Sequence, residues 1–232
     1  MPESFRLKAL KLKRMLKINV VLPKKYDYND HNYPLFIALD GQFLFDFMDE
    51  KTRKVNIEDE IINENIIFVS LHSPNIPDWR ISELNPYYNG NHEQVDKILA
   101  YVYADYIAND LIKFLKDKYR VSDDIYLYSS DLSAILGIYM IYRYDNFKGL
   151  GLFLPKIDDV DDKFKNDIIK NMKKDKKIYI YSGESDNEDY YKIYQLLDKE
   201  TNNIMLDYIE DENDDYENIK KHVNTYFDYL LK

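Results

Sequence analysis

Apolar and polar positions along the chain fall into short runs of strand character separated by longer stretches with three- and four-residue spacing. This pattern predicts a mostly parallel sheet covered by helices. Residues 17–22 alternate and stop at Pro23. Residues 34–39 and 66–71 are nearly continuous apolar runs, as strands buried on both faces require. Further runs at 125–128, 150–154, 178–181 and 204–209 bring the expected sheet to about seven strands.

Helical spacing is clearest between Tyr103 and Tyr119, where Ala104, Ile107, Ala108, Leu111 and Leu115 share one face. The segment from Leu132 to Arg143 is apolar nearly all round and is expected as a helix buried beneath the carboxyl edge of the sheet. Helices are also expected over 163–172, 189–197 and 216–231, the last with Ile219, Val223, Phe227 and Leu230 in one stripe. The fold class is therefore α/β, a three-layer α/β/α sandwich. No internal repeat, linker or composition break interrupts residues 1–232, so a single domain is expected.

Composition narrows the function classes. With 32 Lys+Arg against 42 Asp+Glu the net charge is −10, which argues against a nucleic-acid partner and leaves room only for a local basic patch. The absence of cysteine excludes disulfides, thiolate metal sites and a cysteine nucleophile. The first residues lack an apolar core behind their basic positions, and no run approaches the roughly 18 apolar residues of a membrane span. A cytoplasmic protein with no membrane partner is expected. The 23 tyrosines accompany heavy use of Lys, Asn, Asp and Ile, a coding bias rather than a binding surface. Acidic clusters at 158–162 and 210–215 lack the spacing and glycine of a calcium loop and read as solvated loops. His31, His72, His92 and His222 form no i, i+4 pair, so neither a catalytic metal nor another cofactor is implied. The lone Trp79 is expected to pack within a loop.

Three segments carry a resemblance. Residues 21–26 (Val21 to Tyr26, through Pro23), 33–46 (with Tyr33, Pro34, Asp40, Gly41 and Gln42) and 80–86 (with Arg80, Glu83 and Pro86) follow one another in a recognisable order. They resemble the esterase family of α/β-hydrolases that contains siderophore trilactone esterases, S-formylglutathione hydrolases, and feruloyl and acetylxylan esterases. The resemblance implies an α/β-hydrolase fold, a carboxylic-ester substrate and a Gly-x-Ser-x-Gly nucleophile elbow between a strand and a buried helix. The elbow falls on Ser129, Ser130, Asp131, Leu132 and Ser133, so Asp131 stands at the nucleophile position and serines replace the flanking glycines. On the same resemblance Asp186 takes an acid position, and Asp214 or its neighbour Asn213 stands where the histidine belongs. His222 lies two helical turns, about 12 Å, beyond that point. Gly41 and Gln42 fall on the oxyanion side, with Ser130 and Leu132 in the pocket beside Asp131.

A serine hydrolase needs a hydroxyl with a base at hydrogen-bond distance, and acids stand at both positions here. Promoting Ser129 or Ser130 by a register shift would crowd the flanking positions with Tyr128 or Leu132 and still provide no histidine. An aspartate nucleophile would need Asp214 as the base, with a pKa raised by burial or by a nearby carboxylate. The remaining reading gives Asp131 a structural use, capping the helix that begins at Leu132 and tolerating positive φ. The expectation is a pseudo-hydrolase with a degenerate triad that binds a small ester-like ligand or a protein, with a homo-oligomer compatible. The alternative is an active carboxylic-ester hydrolase, or an aspartate-nucleophile hydrolase, with a non-standard site.

Overall fold

The computed structural model describes residues 2–45, 56–88, 98–157, 162–184, 188–213 and 216–232. Among them, β1 (Glu3–Ala9), β2 (Arg14–Val21), β3 (Tyr33–Ala38), β4 (Ile67–Leu71), β5 (Val121–Ser130), β6 (Gly149–Phe153), β7 (Lys177–Glu184) and β8 (Asn203–Asn213) form one sheet. Its order is β1-β2-β4-β3-β5-β6-β7-β8. β2 is antiparallel to both β1 and β4, and every pairing from β4 to β8 is parallel. The seven expected strands are all present, and β1 is an additional edge strand.

The helices are α1 (Glu58–Asn63), α2 (Pro77–Leu84), α3 (Ala100–Asp105), α4 (Ile112–Lys118), α5 (Ser133–Arg143), α6 (Asp162–Asn171), α7 (Asp189–Leu197) and α8 (Tyr216–Leu231). A π-helical segment, Tyr106–Leu111, joins α3 to α4 and turns Tyr106, Ile107, Ala108 and Leu111 into the core, so the helix expected from Tyr103 onward is continuous. Trp79 lies on α2 rather than in a loop, and it is exposed. The acidic run at 210–212 belongs to β8 and not to a loop, because the strand continues through it to Asn213.

Strand alternation sorts the core by shape. Phe36, Phe68, Tyr128, Phe153, Tyr179 and Tyr181 face α1 and α8, whereas Leu35, Ile37, Val69, Leu127, Leu150 and Leu152 face the helices of the other layer. On the aromatic face, Gly151 leaves the space in which the Tyr226 ring of α8 sits. A Cβ there would collide with that ring, and the Tyr226 hydroxyl donates across the sheet to the Leu127 carbonyl at 2.9 Å. No helix among the described residues is long and apolar enough to cross a membrane.

Candidate active site

β5 and α5 meet in a sharp bend whose tip is Asp131, with φ of 52°. Three backbone hydrogen bonds hold the bend. Asp131 donates its N–H to the Phe153 carbonyl at 3.2 Å, and its own carbonyl accepts from Ala134 and Lys156, each at 3.2 Å. Ser133, at a position that the resemblance gives to glycine, adds side-chain hydrogen bonds to the bend. Its Oγ accepts from the Ser130 N–H at 2.9 Å and lies 2.7 Å from the Ser130 carbonyl, closing the strand end onto the helix start. Ser129 and Ser130 are buried beneath the bend. Ser129 packs so closely on α5 that a Cβ at Gly137 would strike its hydroxyl.

The expected helix cap is not formed by Asp131. Leu132 occupies the residue before α5 and no side chain caps the helix there. The Asp131 carboxylate turns instead to two cations, with Lys156 Nζ 2.8 Å from Oδ1 and Arg80 Nη2 3.5 Å from Oδ2. Charge-assisted contacts outweigh neutral amide donors, which accounts for the choice. The carboxylate side chain is 20% exposed, so the cluster reaches solvent and is not enclosed in the core.

Arg80 continues the network. Its Nε lies 2.9 Å from Asp40 Oδ2, and its Nη2 also bonds that oxygen. Asp40, two residues beyond β3, is buried and has φ of 56°; its Oδ1 accepts from Gln42 Nε2 at 2.8 Å. Gln42 Oε1 in turn accepts from the Ser73 N–H at 3.1 Å. Gly41 is needed for close approach, because a Cβ would lie 2.6 Å from Ser70 Cβ of β4. The Asp40–Gln42 turn, in which the resemblance assigns Gly41 and Gln42 to the oxyanion side, is thus packed against β4 with the Gln42 side chain already committed.

A second layer supports Arg80. One turn along α2, the buried Glu83 accepts a bidentate pair from Arg14 of β2, Nε to Oε1 at 2.7 Å and Nη2 to Oε2 at 2.6 Å. Burial pushes the Glu83 carboxyl up, and Arg14 opposes that. His72, just after β4, has Nε2 2.9 Å from Asn19 Nδ2. Burial, with Lys17 and Arg14 nearby, pushes its pKa down to about 4.

His222 lies on α8 and stacks on Tyr181 at 4.1 Å between ring centroids. Its Nδ1 is 2.8 Å from Asp207 Oδ2 and its Nε2 is 3.0 Å from Glu212 Oε2, so both ring nitrogens are engaged on β8. Lys221, with Tyr181 and His222, holds the Glu212 carboxyl below the usual range. Asp186 and Asp214 lie outside the described residues. Of the positions that the resemblance assigns to the site, the structure brings the Asp40–Gln42 turn and the Asp131 bend to the same end of neighbouring strands. Lys156 and the Arg80–Asp131 contact were not foreseen. Arg80 was visible within its motif, but nothing in the sequence spacing pointed Lys156 at residue 131.

The strand order and the bend at residue 131 are those of an α/β-hydrolase. The sequence profile of the family described as "Putative esterase" matches residues 10–231, and the chain belongs to that family. Solved structures share the fold. The chain is 16% identical to an IroE-like serine hydrolase from Shewanella oneidensis, with a TM-score of 0.78 over 100% of this chain and 79% of that one. It is 13% identical to an S-formylglutathione hydrolase from Agrobacterium tumefaciens, with a TM-score of 0.66 over 99% and 94% of the two chains. It is 12% identical to the ferric enterobactin esterase of Salmonella typhimurium, with a TM-score of 0.76 over 100% of this chain and 58% of that one. A search among curated proteins found no match.

Proposed function

We propose that this chain is a catalytically silent member of the esterase family, a pseudo-hydrolase whose cleft binds a small ester-like ligand or a protein. The observation that carries this reading is the Asp131 carboxylate, held between Lys156 and Arg80 at the position that the resemblance assigns to the nucleophilic serine. A nucleophile needs a free lone pair and a base to manage protons. Here the attacking oxygens face two cations, and His222 spends both nitrogens on Asp207 and Glu212. A carboxylate at the bend also opposes the negative charge that develops on a tetrahedral oxyanion. The ligand class follows from the family's carboxylic esters.

Hydrolysis of short p-nitrophenyl esters is the test. The expected result is the buffer rate for the wild type and for Asp131→Ala alike. Turnover above background that disappears in Asp131→Ala overturns the reading in favour of an aspartate-nucleophile hydrolase. Restoration adds a positive arm: the double variant Asp131→Ser with Asp214→His is expected to gain measurable esterase activity if those two positions correspond to the family's serine and histidine.

A further inference from the structure

We infer that the tip of the β1–β2 hairpin is a docking surface for anionic membrane lipids, a ring of cations around two exposed aliphatic side chains. Between Ser4 and Tyr26 the chain carries eight Lys and Arg and no acidic residue, so all 42 acidic side chains of this acidic protein lie elsewhere. The structure gathers most of these cations on one element. Arg6 and Lys8 share the outward face of β1, and the register sets Arg6 directly across from Lys17 and Lys8 across from Met15. Like charges directly across a ladder destabilise it. Among the described residues no acid relieves them: Arg6, Lys8, Lys13 and Lys17 form no ion pair there.

The apolar half of the surface stands among these charges. Leu10 is 69% exposed and Met15 is 50% exposed. A groove of about 380 Å³ runs between them, lined by Lys8, Ala9, Leu10, Lys13, Arg14 and Met15. Aliphatic side chains flanked by Lys and Arg match a bilayer interface, where the chains enter the headgroup boundary and the ammonium groups meet phosphates. The tip offers no aromatic ring on which a nucleobase would stack. Its position is also defined. β2 is antiparallel to β4 with Ile18 beside Leu71, so Arg14 and the tip project past the carboxyl end of β4, the end that carries Asp131. Ile76, just before α2, and Trp79 on α2 are exposed, and Arg14 ties α2 to the hairpin through Glu83. A chain resting on its hairpin therefore brings that end of the sheet toward the lipid surface.

Sedimentation with vesicles tests this on the intact chain. Phosphatidylcholine vesicles containing about 30% phosphatidylglycerol are expected to carry the protein down at about 0.05 M salt and release it at about 0.5 M, while pure phosphatidylcholine does not bind it. Lys8→Glu with Lys13→Glu is expected to weaken partitioning at least about twentyfold. Leu10→Ser with Met15→Ser is expected to weaken it at least about tenfold. The exposed pair Lys170→Glu with Lys174→Glu should stay within about twofold of wild type, since a single headgroup contact is worth about fivefold. Circular dichroism melts confirm that each variant folds. The inference is overturned if anionic vesicles fail to bind, or if the hairpin variants bind like wild type. It is equally overturned if about 10 mM inorganic phosphate abolishes binding, which would mark a small-anion site, or if polyglutamate or RNA is captured while vesicles are not.

Discussion

Asp131 combines two demands that few residues meet together, a left-handed backbone and a negative charge aimed at two cations. Asn and Gly tolerate the backbone but lack the charge, so Asp131→Asn and Asp131→Gly are expected to unfold within about 1 kcal/mol of wild type in urea. Asp131→Val is expected to lose about 2 kcal/mol or more, because a β-branched side chain resists φ of 52°. His72 makes a separate prediction. Its folded pKa of about 4 lies below its ordinary 6.5, so the unfolded chain takes up the proton first. Stability is therefore complete above about pH 6.5 and falls as the pH drops toward 4, by about 2 kcal/mol after allowance for partial exposure. His72→Gln is expected to remove this component. The readout is the difference between wild-type and variant urea midpoints across pH 4 to 7, and parallel curves would refute the assignment.

At the scale of elements, α7 and α8 are legible in the sequence because each presents a polar face and an apolar stripe. α5 is legible for the opposite reason, being apolar on nearly every side. β1, α1 and α2 are not among the elements that the sequence pattern predicts. The outward half of β1 is charged, and α2 is short, begins at Pro77 and owes its position to Arg80 and Glu83 more than to an apolar stripe. The same division holds in the site: a bend between strand and helix shows in the order of segments, whereas the partner of a carboxylate depends on where a loop such as 154–157 happens to aim. The contact of α8 with β6 gives a test. Gly151→Ala is expected to cost about 2 to 3 kcal/mol because the Tyr226 ring has no room to retreat. Tyr226→Phe should cost only about 1 kcal/mol, the loss of one buried hydrogen bond to Leu127. Thermal melts that ranked the two the other way would show that the hydroxyl, not the ring, fixes the helix.

Across the whole molecule, the pair Arg14–Glu83 joins the edge hairpin to the helix over the site, and Glu83 is fully buried. Removing one partner leaves an uncompensated charge, so Arg14→Met alone is expected to cost about 3 kcal/mol, while Arg14→Met with Glu83→Leu recovers most of it. Equal losses in the single and double variants would show that packing, not the stranded carboxylate, is what was lost. The arrangement of α2 has a mechanical consequence. Glu83 answers to Arg14, and Arg80, three residues earlier, grips both Asp40 and Asp131. A rigid lever so short cannot tilt at one end without moving the other, so any push on the hairpin is felt as slackening or tightening of the Arg80 grip on Asp40 and Asp131.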